Sequence, residues 1–245
     1  MFGFDQTIDG VRFAFTDRYG GVSQAPYGEL NLGYASGDPD DAVSENFRRV
    51  AEAFELTPDR VVRMRQVHGS DVHVVGLDQN PAVVVPTADG LVTTRTDVAL
   101  AARAADCVPI LLADSAAGVV GAVHSGRPGL YRGVVPATVE VMRSLGAERI
   151  TAVVGPHVCG RCYEVPADMR AEVADRVPVA YAETSWGTPS LDIGAGVVWQ
   201  LEQAGCTVVD ASRCTIESDD LYSYRREGKT SGRAAGVVRL LDGAR

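Results

Sequence analysis

The chain has 245 residues, a formal net charge of −9 and a hydrophobic content of 46%. That is chain enough for a large core, and the acidic balance argues against non-specific binding to nucleic acid or to an anionic membrane, both of which want a basic surface. The opening MFGFDQTIDG has no basic flank or long apolar run, so it does not read as a signal peptide. No stretch approaches the ~20 apolar residues of a membrane helix. Five cysteines, an odd number, fit reduced thiols and a cytoplasmic location.

The segment 17–40, DRYGGVSQAPYGELNLGYASGDPD, is a long glycine-rich loop, and a loop of this length in a compact domain is more often functional than idle. Asp38-Pro39 predicts a helix start, Asp as N-cap and Pro at the first helical position. Val43, Phe47, Val50 and Phe54 follow on one face. Strands are predicted at 61–66, 72–75, 91–92, 98–101, 108–112 and 119–123. A helix at 136–145 follows, then a strand at 150–154, helices at 166–176 and 192–205, and strands at 207–209 and 236–240. Strands and helices that do not alternate regularly indicate an α+β fold, with one domain spanning 1–245.

The stretch AADCVPILLADSAAGVVGAVHSGRPG (104–129) reads as a hairpin with a thiol and a histidine at its open end. A two-residue turn at Ser115-Ala116 sets Cys107 opposite His124, with Cβ atoms roughly 4.5–5.5 Å apart; a turn one residue longer shifts the register by one, and either way the pair lies together at the open end. Such a pair suits two ligands of one metal or a thiol beside a base, and equally a buried cysteine next to a strand-end histidine. Asp106 precedes the thiol, HSGRPG follows the histidine as an anion-holding turn, and RQVHG puts His68 at another strand end. Three N/S donors from three segments fit a catalytic zinc with one open position.

The motifs RQVHG, TADGLVT, AADCVPILLAD, GAVHSGRPGL, VGPHVCGRCYEV and YSYRREGKTSGR, in this order between Phe13 and Arg233, resemble those of the laccase-domain, YfiH-like family, described as purine nucleoside phosphorylases and earlier as polyphenol oxidases. The resemblance implies a layered β-sandwich-like core with flanking helices. It also implies a zinc site of His68, Cys107 and His124, with copper able to substitute for zinc. The implied activities are phosphorolysis of adenosine, inosine and methylthioadenosine, and deamination of adenosine; the family is also linked to peptidoglycan-precursor editing. Where many members have Ala-Gly-Trp-Arg-Gly after the second histidine, this chain has Ser125-Gly126-Arg127-Pro128-Gly129, without the tryptophan.

On this reading Cys107, His124 and Asp106 are the catalytic candidates, Asp106 as a proton carrier. Ser125, Arg127, Asn31 and Arg226 are the candidates for binding substrate or phosphate. The partners are a purine nucleoside and phosphate, and the expected state is a monomer or weak homodimer. A cysteine hydrolase or amidase, with Cys107 as nucleophile and His124 as base, is the competing enzyme class. A multicopper oxidase needs more histidines than the four present, so copper-dependent polyphenol oxidation is expected only as a side activity. Cys159 and Cys162 form a C-x-x-C without a second pair of zinc spacing, and read as a loop with two thiols. In the family frame that loop borders the site, with His157 and Cys162 supporting it. His73 falls on the strand face opposite His68.

Overall fold

Apolar residues alternate or run continuously along thirteen short segments, and each forms a strand in the computed structural model, which describes residues 1–77 and 85–241. In chain order these begin with β1 (Phe2–Ile8), β2 (Val11–Thr16), helix α1 (Asp40–Ala53), β3 (Val61–Val62), β4 (Val72–Val74), β5 (Gly90–Thr93) and β6 (Ala99–Ala104). The central hairpin β7 (Val108–Asp114) and β8 (Val119–Ser125) leads into α2 (Arg127–Arg132), α3 (Val134–Ser144), β9 (Thr151–Val154) and α4 (Ala167–Arg176). The chain continues through β10 (Tyr181–Glu183), β11 (Pro189–Leu191), α5 (Ile193–Gln203), β12 (Thr207–Asp210), α6 (Tyr224–Glu227) and β13 (Ala234–Leu240).

One sheet has the order β1-β2-β13-β6-β3 and the other β12-β9-β7-β8-β5-β4; β10 and β11 make a separate ribbon. Side-chain alternation along the strands sorts the core into layers. Phe13, Phe15, Leu100 and Val238 of the first sheet meet Leu91, Leu111, Val120 and Val153 of the second. The outer face of the second sheet, with Ile110, Leu112 and Val123, packs on Val135, Val139 and Met142 of α3 and on Val197 and Leu201 of α5. The outer face of the first, with Ala99, Ala101 and Val237, packs on Val43, Phe47 and Val50 of α1. β7 is buried along its whole length because both its faces are covered, which explains its unbroken apolar run. The result is the expected α+β domain, two stacked sheets with helices outside. No helix among the described residues is long and apolar enough to cross a membrane.

Several expectations change in detail. Asp38 does not cap α1, whose N-cap is Pro39; its buried carboxylate instead accepts hydrogen bonds from Ser23 Oγ (2.6 Å) and Asn31 Nδ2 (2.9 Å), closing the glycine-rich loop onto itself. The strand expected over 61–66 shrinks to Val61–Val62 plus an isolated bridge from Arg65 to Thr87. The β1–β2 hairpin and the turn-like helices α2 and α6 were not expected. The central hairpin closes with the four residues Ser115–Gly118, Gly118 taking φ 66°, and Ala117 N donating to Asp114 Oδ1. The register therefore pairs His124 with Pro109, not with Cys107. A slip of two residues preserves the face on which each side chain sits, so the thiol and the imidazole still meet.

Candidate metal centre

His68, Cys107 and His124 place their ligand atoms within 4.8 Å of one another. Cys107 Sγ lies 3.7 Å from His68 Nε2, and the two imidazoles stand edge to face with centroids 4.8 Å apart. Each donor arrives by a different local device. His124 is carried by β8, and its Nδ1 lies 2.8 Å from Asp89 Oδ1, which leaves Nε2 for the centre of the cluster. His68 sits in the left-handed region at φ 58°, a conformation that costs energy for a non-glycine residue and persists only where the surroundings impose it. They do: Val67 N, His68 N and Gly69 N all donate to the Asp89 carboxylate, and Arg132 Nη1 donates to the His68 carbonyl. Cys107 is turned in by Asp106, itself at φ 84°.

Asp89, fully buried immediately before β5, therefore serves both histidines. Burial raises the pKa of its carboxyl, but His124 and the backbone N–H groups outweigh burial and hold it below the ordinary value. A carboxylate behind a ligating imidazole is the arrangement that fixes tautomer and ring orientation at metal sites. Sequence reading missed this residue; the only local signal was an acid inside the quoted TADG motif, which looks like an ordinary Asp-Gly turn.

Electrostatically the cluster is a coupled pair plus a third donor. Burial pushes the Cys107 thiol up, yet the facing His124 and His68 bring it down to about 6. Burial lowers His124, but the Cys107 sulfur and Asp89 raise it to about 9. Gly126 allows this proximity: a Cβ there would fall 2.8 Å from both Cys107 Sγ and His68 Cδ2.

The cluster opens into a cavity of about 460 Å³ whose walls include Gln66, Arg103, Tyr163, Tyr224, Arg225 and Arg233. Arg103 is held by a double exchange with Gln66 and by its Nη2 on the Met64 carbonyl, but its Nε is buried without a partner among the described residues. Burial, with Arg63 and Arg233 nearby, pulls the Arg103 guanidinium down to about 10, and burial lowers Arg233 as well. Cations crowded in this way are relieved by an anion.

Asp106 reaches the cleft wall, and both its oxygens are occupied, by Thr215 Oγ1 (2.6 Å) and Arg225 N (2.7 Å). Asn31, Ser125, Arg127 and Arg226 do not line the cleft. Asn31 is fully buried and ties Gly33 N and Arg233 N to Ser36 and Asp38. The Arg226 guanidinium is spent on the carbonyls of Thr215, Ile216, Ser218 and Leu221 and on Glu227. Ser125 is buried at the end of β8, and Arg127 starts α2. His157 also lies off the cleft, its Nδ1 donating to the Gly155 carbonyl. The basic cleft residues come instead from β6 and from 225–233.

A two-sheet sandwich whose strand ends gather two histidines and a cysteine over a basic cleft defines a candidate metalloprotein of the α+β class. The chain belongs to the family of multi-copper polyphenol oxidoreductase laccases, matched over residues 12–241. It is 58% identical over 233 residues to purine nucleoside phosphorylase ORF3 of Streptomyces griseus, with 94% of each chain covered. It is 54% identical to purine nucleoside phosphorylase SCO2081 of Streptomyces coelicolor, covering 98% of this chain and all of that one. Among solved structures it is similar to NMB0706 of Neisseria meningitidis (TM-score 0.85, 30% identity, 97% and 98% of the two chains). YlmD of Geobacillus stearothermophilus is alike at TM-score 0.85, 30% identity, and 95% and 93% of the two chains.

Proposed function

We propose that the protein is a zinc-dependent purine nucleoside phosphorylase that cleaves adenosine, inosine or methylthioadenosine to the free base and the sugar 1-phosphate, and that it also deaminates adenosine. The observation that carries the reading is the union, in one cleft, of the His68–Cys107–His124 cluster with a half-buried pair of under-compensated arginines, Arg103 and Arg233. The names of the relatives in Streptomyces point the same way.

The donor set fits zinc: two imidazoles and a thiolate, one imidazole oriented by a buried carboxylate, with the open side facing the cleft. Zinc bound there supplies Lewis acidity. The chain's own residues do the rest. Arg103 and Arg233 hold the phosphate, replacing its hydration with fixed donors. In phosphorolysis a phosphate oxygen bonds to C1′ of the ribose as the bond from C1′ to the purine nitrogen breaks, and the base leaves with the electron pair. Tyr163 and Tyr224 offer ring faces for the base, in place of the tryptophan that this chain lacks. The Arg225 guanidinium lies 4.6 Å over Tyr163 and donates to the Glu164 carbonyl, which fixes that ring. Asp106 braces the cleft through Thr215 and the Arg225 backbone, and its proposed role is to position Cys107.

The test is incubation of zinc-loaded protein with adenosine and phosphate. Ribose 1-phosphate and adenine report phosphorolysis, and inosine reports deamination; the absence of all three overturns the reading.

A cysteine hydrolase is the second reading, favoured by the Cys107 thiol brought down to about 6 beside a His124 raised to about 9, the signature of a thiolate–imidazolium pair. Zinc decides between them. Fast alkylation of Cys107 that stoichiometric zinc does not slow supports the hydrolase. As for copper, only His68 and His124 of the four histidines line the cleft, too few for a multicopper centre, so polyphenol oxidation is proposed only as a side reaction of copper in the zinc position.

The protein is proposed to act in the cytoplasm, as a monomer or weak homodimer.

A further inference from the structure

Away from the cleft, a second group of donors converges. Cys159 and Cys162 lie on the loop after β9, where Cys162 N and Tyr163 N both donate to the Cys159 carbonyl at 3.0 Å, a tight turn that brings the two thiols to one side. Cys214 lies on the loop after β12, locked to the first loop by a parallel bridge to His157. Glu217 follows three residues later. The three sulfurs and a Glu217 carboxylate oxygen all lie within 4.8 Å of one another, and Cys162 Sγ donates to Glu217 Oε1 at 3.6 Å. The sequence spacing had suggested no partner for the C-x-x-C, and Cys206 takes no part in this group. The fold supplies a second half with matching spacing, Cys214-x-x-Glu217.

The geometry points to a second metal site, a structural zinc ion held by Cys159, Cys162, Cys214 and Glu217. Three neutral thiols and a carboxylate do little for one another, since S–H is a weak donor. Thiolates are soft ligands that select zinc. Four protein ligands close the coordination sphere, the mark of a structural rather than a catalytic zinc, whereas the cleft cluster has three and an open side. The location gives the ion a role. Tyr163, next to Cys162, lines the cleft, and Thr215, next to Cys214, holds Asp106. The ion clamps together the two loops that back the cleft.

The test is zinc stoichiometry after loading and desalting. Wild type is expected to hold two zinc ions per chain, the His68→Ala/Cys107→Ala double variant one, and Cys159→Ser/Cys214→Ser one. Cobalt in the His68→Ala/Cys107→Ala variant is expected to give tetrahedral visible bands with strong thiolate charge transfer. Because the serine variants can unfold, the wild type is also alkylated with and without zinc and the labelled cysteines are mapped. Cys159, Cys162 and Cys214 are expected to be protected by zinc and released by chelator, with unchanged far-UV circular dichroism. Equal zinc content in wild type and Cys159→Ser/Cys214→Ser, equal labelling of those three cysteines with and without zinc, or a Cys159–Cys162 disulfide in anaerobically purified protein overturns the assignment.

Discussion

Asp89 Oδ1 stands 2.8 Å from His124 Nδ1 while the same carboxylate accepts the backbone N–H groups of Val67, His68 and Gly69. One buried acid thus aims one imidazole and shapes the turn that presents the other. Two ligands of the proposed zinc depend on a residue that reaches it only through them.

Asp89→Asn tests that dependence. An amide is a weaker acceptor and can present its NH2 to His124, so the ring loses its fixed tautomer. Zinc affinity, measured by competition with a chromophoric chelator, is expected to fall roughly 10- to 100-fold. An unchanged affinity would remove Asp89 from the centre.

Gly126→Ala places a methyl group where Cys107 Sγ and His68 Cδ2 already stand. Gly126 is at an ordinary extended φ of −83°, so the backbone tolerates alanine and the damage falls on the cluster. The variant is expected to keep its circular dichroism spectrum and to lose the zinc bound to the cleft, read by metal analysis.

Arg103→Met separates the phosphate role from nucleoside binding. Hydrogen bonds to a charged group are worth about 1.5–3 kcal/mol, so KM for phosphate should rise roughly 10- to 100-fold while KM for the nucleoside moves little. A rise confined to the nucleoside would place the anion elsewhere.

Asp114 supplies a pH signature away from the cleft. Burial raises its carboxyl, but the backbone N–H groups of Arg149, Ala117 and Glu148 lower it more, so its folded pKa lies below the ordinary value. A depressed carboxyl contributes stability that is fully present above the unfolded value of about 3.9 and is lost as pH falls through the folded value. Urea midpoints of wild type and Asp114→Asn are expected to differ at neutral pH and to converge in acid. A gap independent of pH would show that the charge contributes nothing.

Leu111, on the β7 face between the two sheets and fully buried, tests the core. Leu111→Ala should destabilise by about 2–5 kcal/mol, measured by chemical denaturation.

The layered fold was legible because its signals are short-range. The spacing of Val43, Phe47 and Val50 reports one buried helical face, and the continuous run Val108 to Leu112 reports a strand covered on both sides. His68, Cys107 and His124 were legible as donor types at strand ends, and the motif resemblance joined them. What stayed hidden depends on how separate pieces of chain meet. A four-residue turn in place of a two-residue one moved His124 from Cys107 to Pro109, and no local propensity distinguishes the two lengths within the small-residue stretch Ser115 to Gly118. Asp89 looks like a turn residue until burial gives its carboxylate one set of partners, and Arg103 like a polar interruption in β6 until the fold half-buries it beside Arg63 and Arg233. Cys214 and Glu217 join Cys159 and Cys162 only because β12 lies parallel beside β9, so that the loops leaving both strands run out at the same edge of the sheet. Residue chemistry is written along the chain, but convergence is set by strand order and loop length, which are settled by the packing of the whole core.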